Sequence, residues 1–221
     1  MAFNVAIDGP AGAGKSTIAK SVAAELNYIY VDTGAMYRAI ALYLLRNGIE
    51  ASDSAAISER CKEAKVSIQY VDGKQVVLLN GEDVNPYIRT EEVGNMASAS
   101  STNPDVRLQL LDLQRELAAN NNVIMDGRDI GTNILPNAQV KIYLTASIQV
   151  RAKRRYNELI AKGQECNLED IEKDIAERDE RDMNREIAPL KQAEDAVYLD
   201  TSDMDIEAVK TAIIDIIRSK Q

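Results

Sequence analysis

Short, largely apolar runs alternate with longer helical patterns along most of this chain. Residues 3–7, 28–31, 123–125, 140–144 and 196–199 read as strands buried on both faces. Helical stretches lie between most of these runs. Asn103-Pro104 opens one such helix with an N-cap and a first-turn proline, and Val106, Leu110, Leu113 and Leu117 form its apolar stripe. The last helix repeats the pattern with Ile206, Val209, Ile213 and Ile216. Strands that alternate with helices predict an α/β fold built on a parallel sheet with helices on both faces.

One stretch departs from this rhythm. Residues 66–71 and 75–79, separated by Asp72-Gly73-Lys74 and followed by Asn80-Gly81, have the turn chemistry of a small antiparallel meander. It is expected to form an insertion over residues 63–102 within a single domain spanning residues 1–221.

Composition narrows the function. The 221 residues are 45% hydrophobic and 28% charged, enough to bury a core, so disordered and fibrous classes are excluded. No apolar stretch approaches the roughly 18 residues of a membrane-spanning helix, and the first residues lack the basic start of a secretory signal. No membrane partner and a cytoplasmic address are expected. Lys and Arg total 26 against 35 Asp and Glu, a net charge of −9 that repels a polyanionic backbone, so nucleic acid is not the expected partner. There is no histidine, which removes Ser-His and Cys-His nucleophile systems and imidazole acid-base chemistry. Cys61 and Cys166 lack metal-site spacing, read as reduced thiols and are given no role.

The strongest chemical signal is Gly9-Pro10-Ala11-Gly12-Ala13-Gly14-Lys15-Ser16-Thr17, which fills the G-x-x-x-x-G-K-S/T pattern between the first strand and the first helix. Glycines let the backbone N–H groups turn inward onto phosphate oxygens, and the helix N-terminus adds positive potential. Lys15 then reaches the β and γ phosphates and Ser16 ligates magnesium. The alternative is a turn that only packs strand on helix. A phosphate loop alone admits GTPases, motors and small-molecule kinases, but no N-K-x-D base motif of a switch GTPase is found.

Two more segments sit at carboxyl ends of strands, where open parallel sheets bind ligands. They are Val31-Asp32-Thr33-Gly34-Ala35-Met36-Tyr37-Arg38 and Val123-Ile124-Met125-Asp126-Gly127-Arg128-Asp129-Ile130-Gly131-Thr132. Asp126, ending an apolar strand, stands where a carboxylate holds magnesium, or else is a turn residue. Arg178, Arg181, Asp182 and Arg185 recur at helical spacing. Either Asp174 and Glu177 neutralise the arginines on a solvated helix, or the cluster awaits an anion. Arg151, Lys153, Arg154 and Arg155 open another helix, as solvent decoration or as the start of a lid over residues 148–167.

With these motifs the chain closely resembles the bacterial cytidylate kinases, a family of nucleoside monophosphate kinases, over nearly its whole length. The resemblance implies transfer of the γ-phosphoryl group of ATP to CMP or dCMP with Mg2+; a monomer is expected. It implies a catalytic set of Lys15, Arg128, Arg178 and Arg185 with Arg154 or Arg155. Thr33, Arg38, Arg128, Arg178 and Arg185 would bind acceptor phosphate and Asp182 the ribose, while Tyr37 would lie against the nucleoside or else serve ordinary core packing. Ser98, Arg107 and Asp129 would contact the base, with Arg107 donating to N3 and O2 of cytosine and Asp129 accepting from its amino group. By their residue types alone these three read as a loop hydroxyl, a surface charge and a helix cap. A kinase for another monophosphate or for a metabolite hydroxyl is the nearer alternative.

Overall fold

The computed structural model describes residues 2–221. Its main sheet has five parallel strands: β1 (Asn4–Asp8), β2 (Ile29–Asp32), β6 (Val123–Gly127), β7 (Val140–Thr145) and β8 (Val197–Asp200). They lie in the order β2-β6-β1-β7-β8, which puts the first strand at the centre. Side chains alternate between two cores. Val5 and Ile7 of β1, Ile124 of β6, and Val140, Ile142 and Leu144 of β7 pack beneath α1 (Lys15–Leu26) and α8 (Ile206–Arg218). Ala6, Val31, Val123 and Met125 face the opposite core, which is filled by α2 (Thr33–Arg46) and α5 (Pro104–Asn120). Burial on both faces explains why these strands are apolar at successive positions.

The expected helical stripes are shifted in two places. In α8 the buried residues are Val209, Ile213, Ile214 and Ile217, while Ile206 at the first turn is 58% exposed. In α5, Val106 and Leu110 are buried together with Gln114 and Ala118, and Leu113 and Leu117 flank the core. Asn103 caps this helix through its side-chain oxygen, with Pro104 behind it. The strand expected at 196–199 forms one residue later and lies at the edge of the sheet with Val197 and Tyr198 exposed, rather than buried.

Between α2 and β6 the chain makes α3 (Ser54–Arg60) and the antiparallel strands β3 (Val66–Val71), β4 (Lys74–Leu79) and β5 (Glu82–Asp83), then α4 (Glu91–Ser100). Asp72-Gly73 and Asn80-Gly81 all have positive φ, the geometry that tight hairpin turns of this type require. On the other side, α6 (Ile148–Ala161) and α7 (Leu168–Asn184) pack against each other through Ala152, Ile171 and Ile175. Among the described residues no helix is long and apolar enough to cross a membrane.

Candidate active site

The loop from Gly9 to Gly14 joins β1 to α1. A Cβ on Gly9 would sit 1.9 Å from the carbonyl oxygen of Leu144, so only glycine lets the loop leave the sheet beside β7. Gly12 and Gly14 adopt left-handed φ values of 75° and 86°. Gly14 caps α1 without any side-chain hydrogen bond, which leaves the first-turn N–H groups free for an anion. Lys15 is buried and donates from Nζ to the Pro10 carbonyl at 2.8 Å. Burial and the nearby Arg128 push its pKa well below the usual lysine range. Thr17 points to solvent.

Across the crevice, Asp126 at the end of β6 accepts from Ser16 Oγ and from the Tyr30 hydroxyl, each at 2.8 Å. Burial, then the charge of Asp32, raises its pKa. Thr33 Oγ1 donates to the Asp126 carbonyl at 2.7 Å and so joins α2 to the same point. Among the described residues no group of three or more acidic or thiol side chains encloses a cation. Ser16 and Asp126 therefore offer a hydroxyl and a carboxylate at one point, a partial oxygen shell that suits a cation bringing its other ligands as phosphate oxygens and water.

Beyond Asp126 lies a cluster of guanidinium groups. Arg128 donates from Nε to Asp182 at 2.9 Å. Arg178 keeps a buried Nε with no partner, and burial and Arg128 lower its pKa. Neither Asp174 nor Glu177 pairs with Arg178 or Arg181 among the described residues; Arg178 turns inward and Arg181 faces solvent. Arg185 lies just past the end of α7, where its Nε donates to the Ala188 carbonyl at 2.6 Å and its Nη2 stands 3.6 Å from Asp129. Arg107 forms an ion pair with the other oxygen of Asp129, and its guanidinium lies 5.7 Å from the centre of the Tyr37 ring. The Tyr37 hydroxyl is buried without a partner, and burial raises its pKa to about 12. Arg38 is half-buried, and burial lowers its pKa to about 10. Ser98 is half-buried on α4, and its carbonyl accepts from Ser101 Oγ at 2.9 Å.

The basic run at the start of α6 divides. Arg151 is buried, bridging the Ala11 carbonyl of the phosphate loop at 3.0 Å and both oxygens of Asp179 on α7. Arg154 reaches to within 3.8 Å of where a Gly14 Cβ would lie and donates to the Thr201 carbonyl at 3.1 Å. Arg155 is exposed and pairs with Glu158 on its own helix, one residue around from the loop-facing side. The geometry thus brings Lys15, Ser16, Thr33, Tyr37, Arg38, Arg107, Asp126, Arg128, Asp129, Arg154, Arg178, Asp182 and Arg185 around one crevice, and leaves Arg155 outside it.

Four residues outside the sequence-derived set belong to this crevice. Asp8 accepts from the Ile130 and Gly131 amides at 2.8 and 2.7 Å and fixes the wide helical turn after Asp129; burial raises its pKa to about 6. Tyr30 orients Asp126. Asp32 caps α2 by accepting from Ala35, and pairs with Arg89 at 2.6 Å. Asp8 and Asp32 end apolar strands just as Asp126 does, and that signal was available for all three.

A phosphate loop feeding α1, a buried lysine across it and arginines facing a crevice at the carboxyl ends of a parallel sheet define a P-loop kinase. Solved structures share this fold: a gluconokinase from Sinorhizobium meliloti 1021 (TM-score 0.50, 13% identity, 99% of this chain and 93% of that one) and an uncharacterized protein from Eubacterium ventriosum ATCC 27560 (TM-score 0.53, 13% identity, 99% of both). The chain belongs to the cytidylate kinase family, whose profile matches residues 5–219. A cytidylate kinase of Geobacillus sp. (strain WCH70) is 48% identical over 218 residues, 99% of this chain and 97% of the relative. One from Caldicellulosiruptor bescii is 49% identical over 214 residues, 97% and 95% of the two chains.

Proposed function

We propose that this kinase transfers the γ-phosphoryl group of ATP to CMP and dCMP, with magnesium at the reacting phosphates. The observation that carries the reading is the guanidinium cluster of Arg38, Arg128, Arg178 and Arg185 facing the Lys15 loop across Asp126. Asp182 pairs with Arg128 and Asp129 lies beside Arg185, but among the described residues Arg38 and Arg178 have no carboxylate bonded to them, so the set keeps an excess of positive charge that an anion between its members offsets. Two nucleotides whose phosphates meet there supply that anion.

The acceptor phosphate is already an anionic nucleophile, so no covalent intermediate and no histidine are needed. Lys15 and the Gly9–Thr17 backbone hold the donor phosphates. Arg38 and Thr33 orient the acceptor phosphate. Arg128, Arg178, Arg185 and Arg154 neutralise the charge that moves between the two. Ser16 and Asp126 would hold the magnesium, which supplies charge neutralisation at the donor phosphates. Asp182 addresses the ribose, with Ser98 and Tyr37 beside the nucleoside.

Base choice falls to Arg107 and Asp129. Arg107 and Arg185 flank Asp129, and its carboxylate is the acceptor for the cytosine amino group. Residues 63–102 close over the acceptor and residues 148–167 over the donor, and this excludes the water that would otherwise take the phosphoryl group. The test is ADP release measured with CMP, dCMP, UMP and AMP in turn. CMP and dCMP are expected to lead; UMP or AMP as the best acceptor overturns the reading.

A further inference from the structure

The segment between β5 and α4 carries one arginine, Arg89, across to the main sheet. Its Nη2 lies 2.6 Å from Asp32 Oδ2; the Asp32 side chain is 7% exposed and that of Arg89 is 53% exposed. Asp32 is where the meander meets the core. Gln75 of β4 accepts from the Asp32 amide at 2.8 Å and donates to its carbonyl at 3.2 Å, and the Tyr70 hydroxyl donates to the Tyr30 carbonyl at 3.1 Å. Arg38 is close by. A Cβ placed on Gly34 would be 3.0 Å from Arg38 Nη1 and 3.3 Å from Asp32 Oδ1. Among the described residues the Arg38 guanidinium has neither a hydrogen bond nor an ion pair.

Arg38 and Arg89 thus flank one carboxylate, and only Arg89 is bonded to it. We propose that Arg89 is a further ligand of the acceptor's phosphate, held in reserve by Asp32. When the dianionic phosphate settles on Arg38, Arg89 leaves Asp32 for it and draws residues 63–102 toward the main sheet. A phosphate offers each guanidinium its own oxygen pair, whereas Asp32 presents Arg89 with a single contact. Because Arg89 is half in solvent, its release exposes little that was dry. Asp32 keeps its hydrogen bond from the Ala35 amide and shares the Arg38 charge with the incoming phosphate, so the gain at Arg89 is partly offset by the loss of its contact to this buried carboxylate. The latch therefore opens on phosphate and not on the base.

This inference rests on CMP as acceptor, and the test separates the two. Binding of CMP and of cytidine, which lacks the phosphate, is measured by calorimetry on the wild type and on Arg89→Gln, Arg89→Lys and Asp32→Asn. Losing one charge-assisted contact to phosphate corresponds to roughly a 10- to 100-fold loss. Arg89→Gln should show that loss for CMP and none for cytidine, and Arg89→Lys a smaller one. Asp32→Asn, which retains an oxygen to cap α2, should bind CMP severalfold more tightly with cytidine unchanged. Equal losses of CMP and cytidine in Arg89→Gln, or CMP binding unchanged there, overturn the role of Arg89. Weaker CMP binding in Asp32→Asn overturns the reserve. A wild-type enzyme that binds no CMP overturns the acceptor reading instead, and is seen before any variant is compared.

Discussion

Removing one partner of the Arg151–Asp179 pair should do more damage than removing both. Arg151 is 3% and Asp179 7% exposed, and they share two contacts of 3.1 and 2.5 Å. In Asp179→Ala the guanidinium stays buried with only the Ala146 and Ala11 carbonyls to offset its charge. Breaking a buried pair in this way costs about 3–5 kcal/mol, against less than 1 kcal/mol for an exposed pair such as Arg155–Glu158. At about 2–4 °C per kcal/mol for a chain of this length, the melting temperature should fall by about 6–20 °C. The double variant Arg151→Met with Asp179→Leu buries no charge and should recover most of that loss. Function should not recover with it, because the Ala11 carbonyl has lost its donor and the phosphate loop its tie to α6. Urea unfolding followed by far-ultraviolet circular dichroism, beside ATP titration of each variant, measures both effects. A loss below about 1 kcal/mol in Asp179→Ala, or a double variant no more stable than the single one, refutes the reasoning.

Lys15→Ala should lower kcat by orders of magnitude and leave the melting curve of the ligand-free protein close to that of wild type, since the Nζ bonds only to the Pro10 carbonyl; near-normal turnover would end its assignment. Asp129→Ala should lower kcat/KM for CMP strongly and for UMP much less, because opposite uracil the carboxylate faces a carbonyl; an equal loss in paired titrations would remove the base-reading role. For Asp8 the folded pKa, about 6, lies above the ordinary 3.8, so the unfolded chain gives up this proton first. Its contribution is therefore full below about pH 4 and is lost as pH rises through 6, up to roughly 3 kcal/mol. Stability of wild type and Asp8→Asn measured from pH 4 to 7 should diverge by that slope, and parallel curves would contradict it.

The phosphate loop was legible in the chain because its chemistry is local: glycine spacing, the strand before and the helix after all lie within one short segment. Asp126 followed from its place at a strand end. The α/β alternation and the two hairpin turns were legible for the same reason, since period and turn chemistry are properties of neighbours. Arg151 was not separable from Lys153, Arg154 and Arg155, for what distinguishes it is Asp179, supplied by a different helix packed at one particular angle. Arg89 carried no pattern of its own; its position depends on how the meander folds back on β2. The solvation of Val197 and Tyr198 depends on β8 lying at the edge, which no run of apolar residues announces.

The central place of β1 has a consequence for synthesis. Phe3 bonds to Asn122, 119 residues along the chain, and Asn4 to Gln139, 135 along. The first strand made is flanked by two strands that emerge late, and β2 likewise waits for β6. Until then the only paired strands the nascent chain holds are those of the meander, β3 through β5. Val5, Ala6 and Ile7 therefore stay without their sheet partners until residues 123–143 have been made, in a topology of distant pairings that closes slowly. The phosphate loop springs from β1, so a truncated chain ending before residue 123 has every residue of the Gly9–Thr17 motif and no sheet on which to hold it.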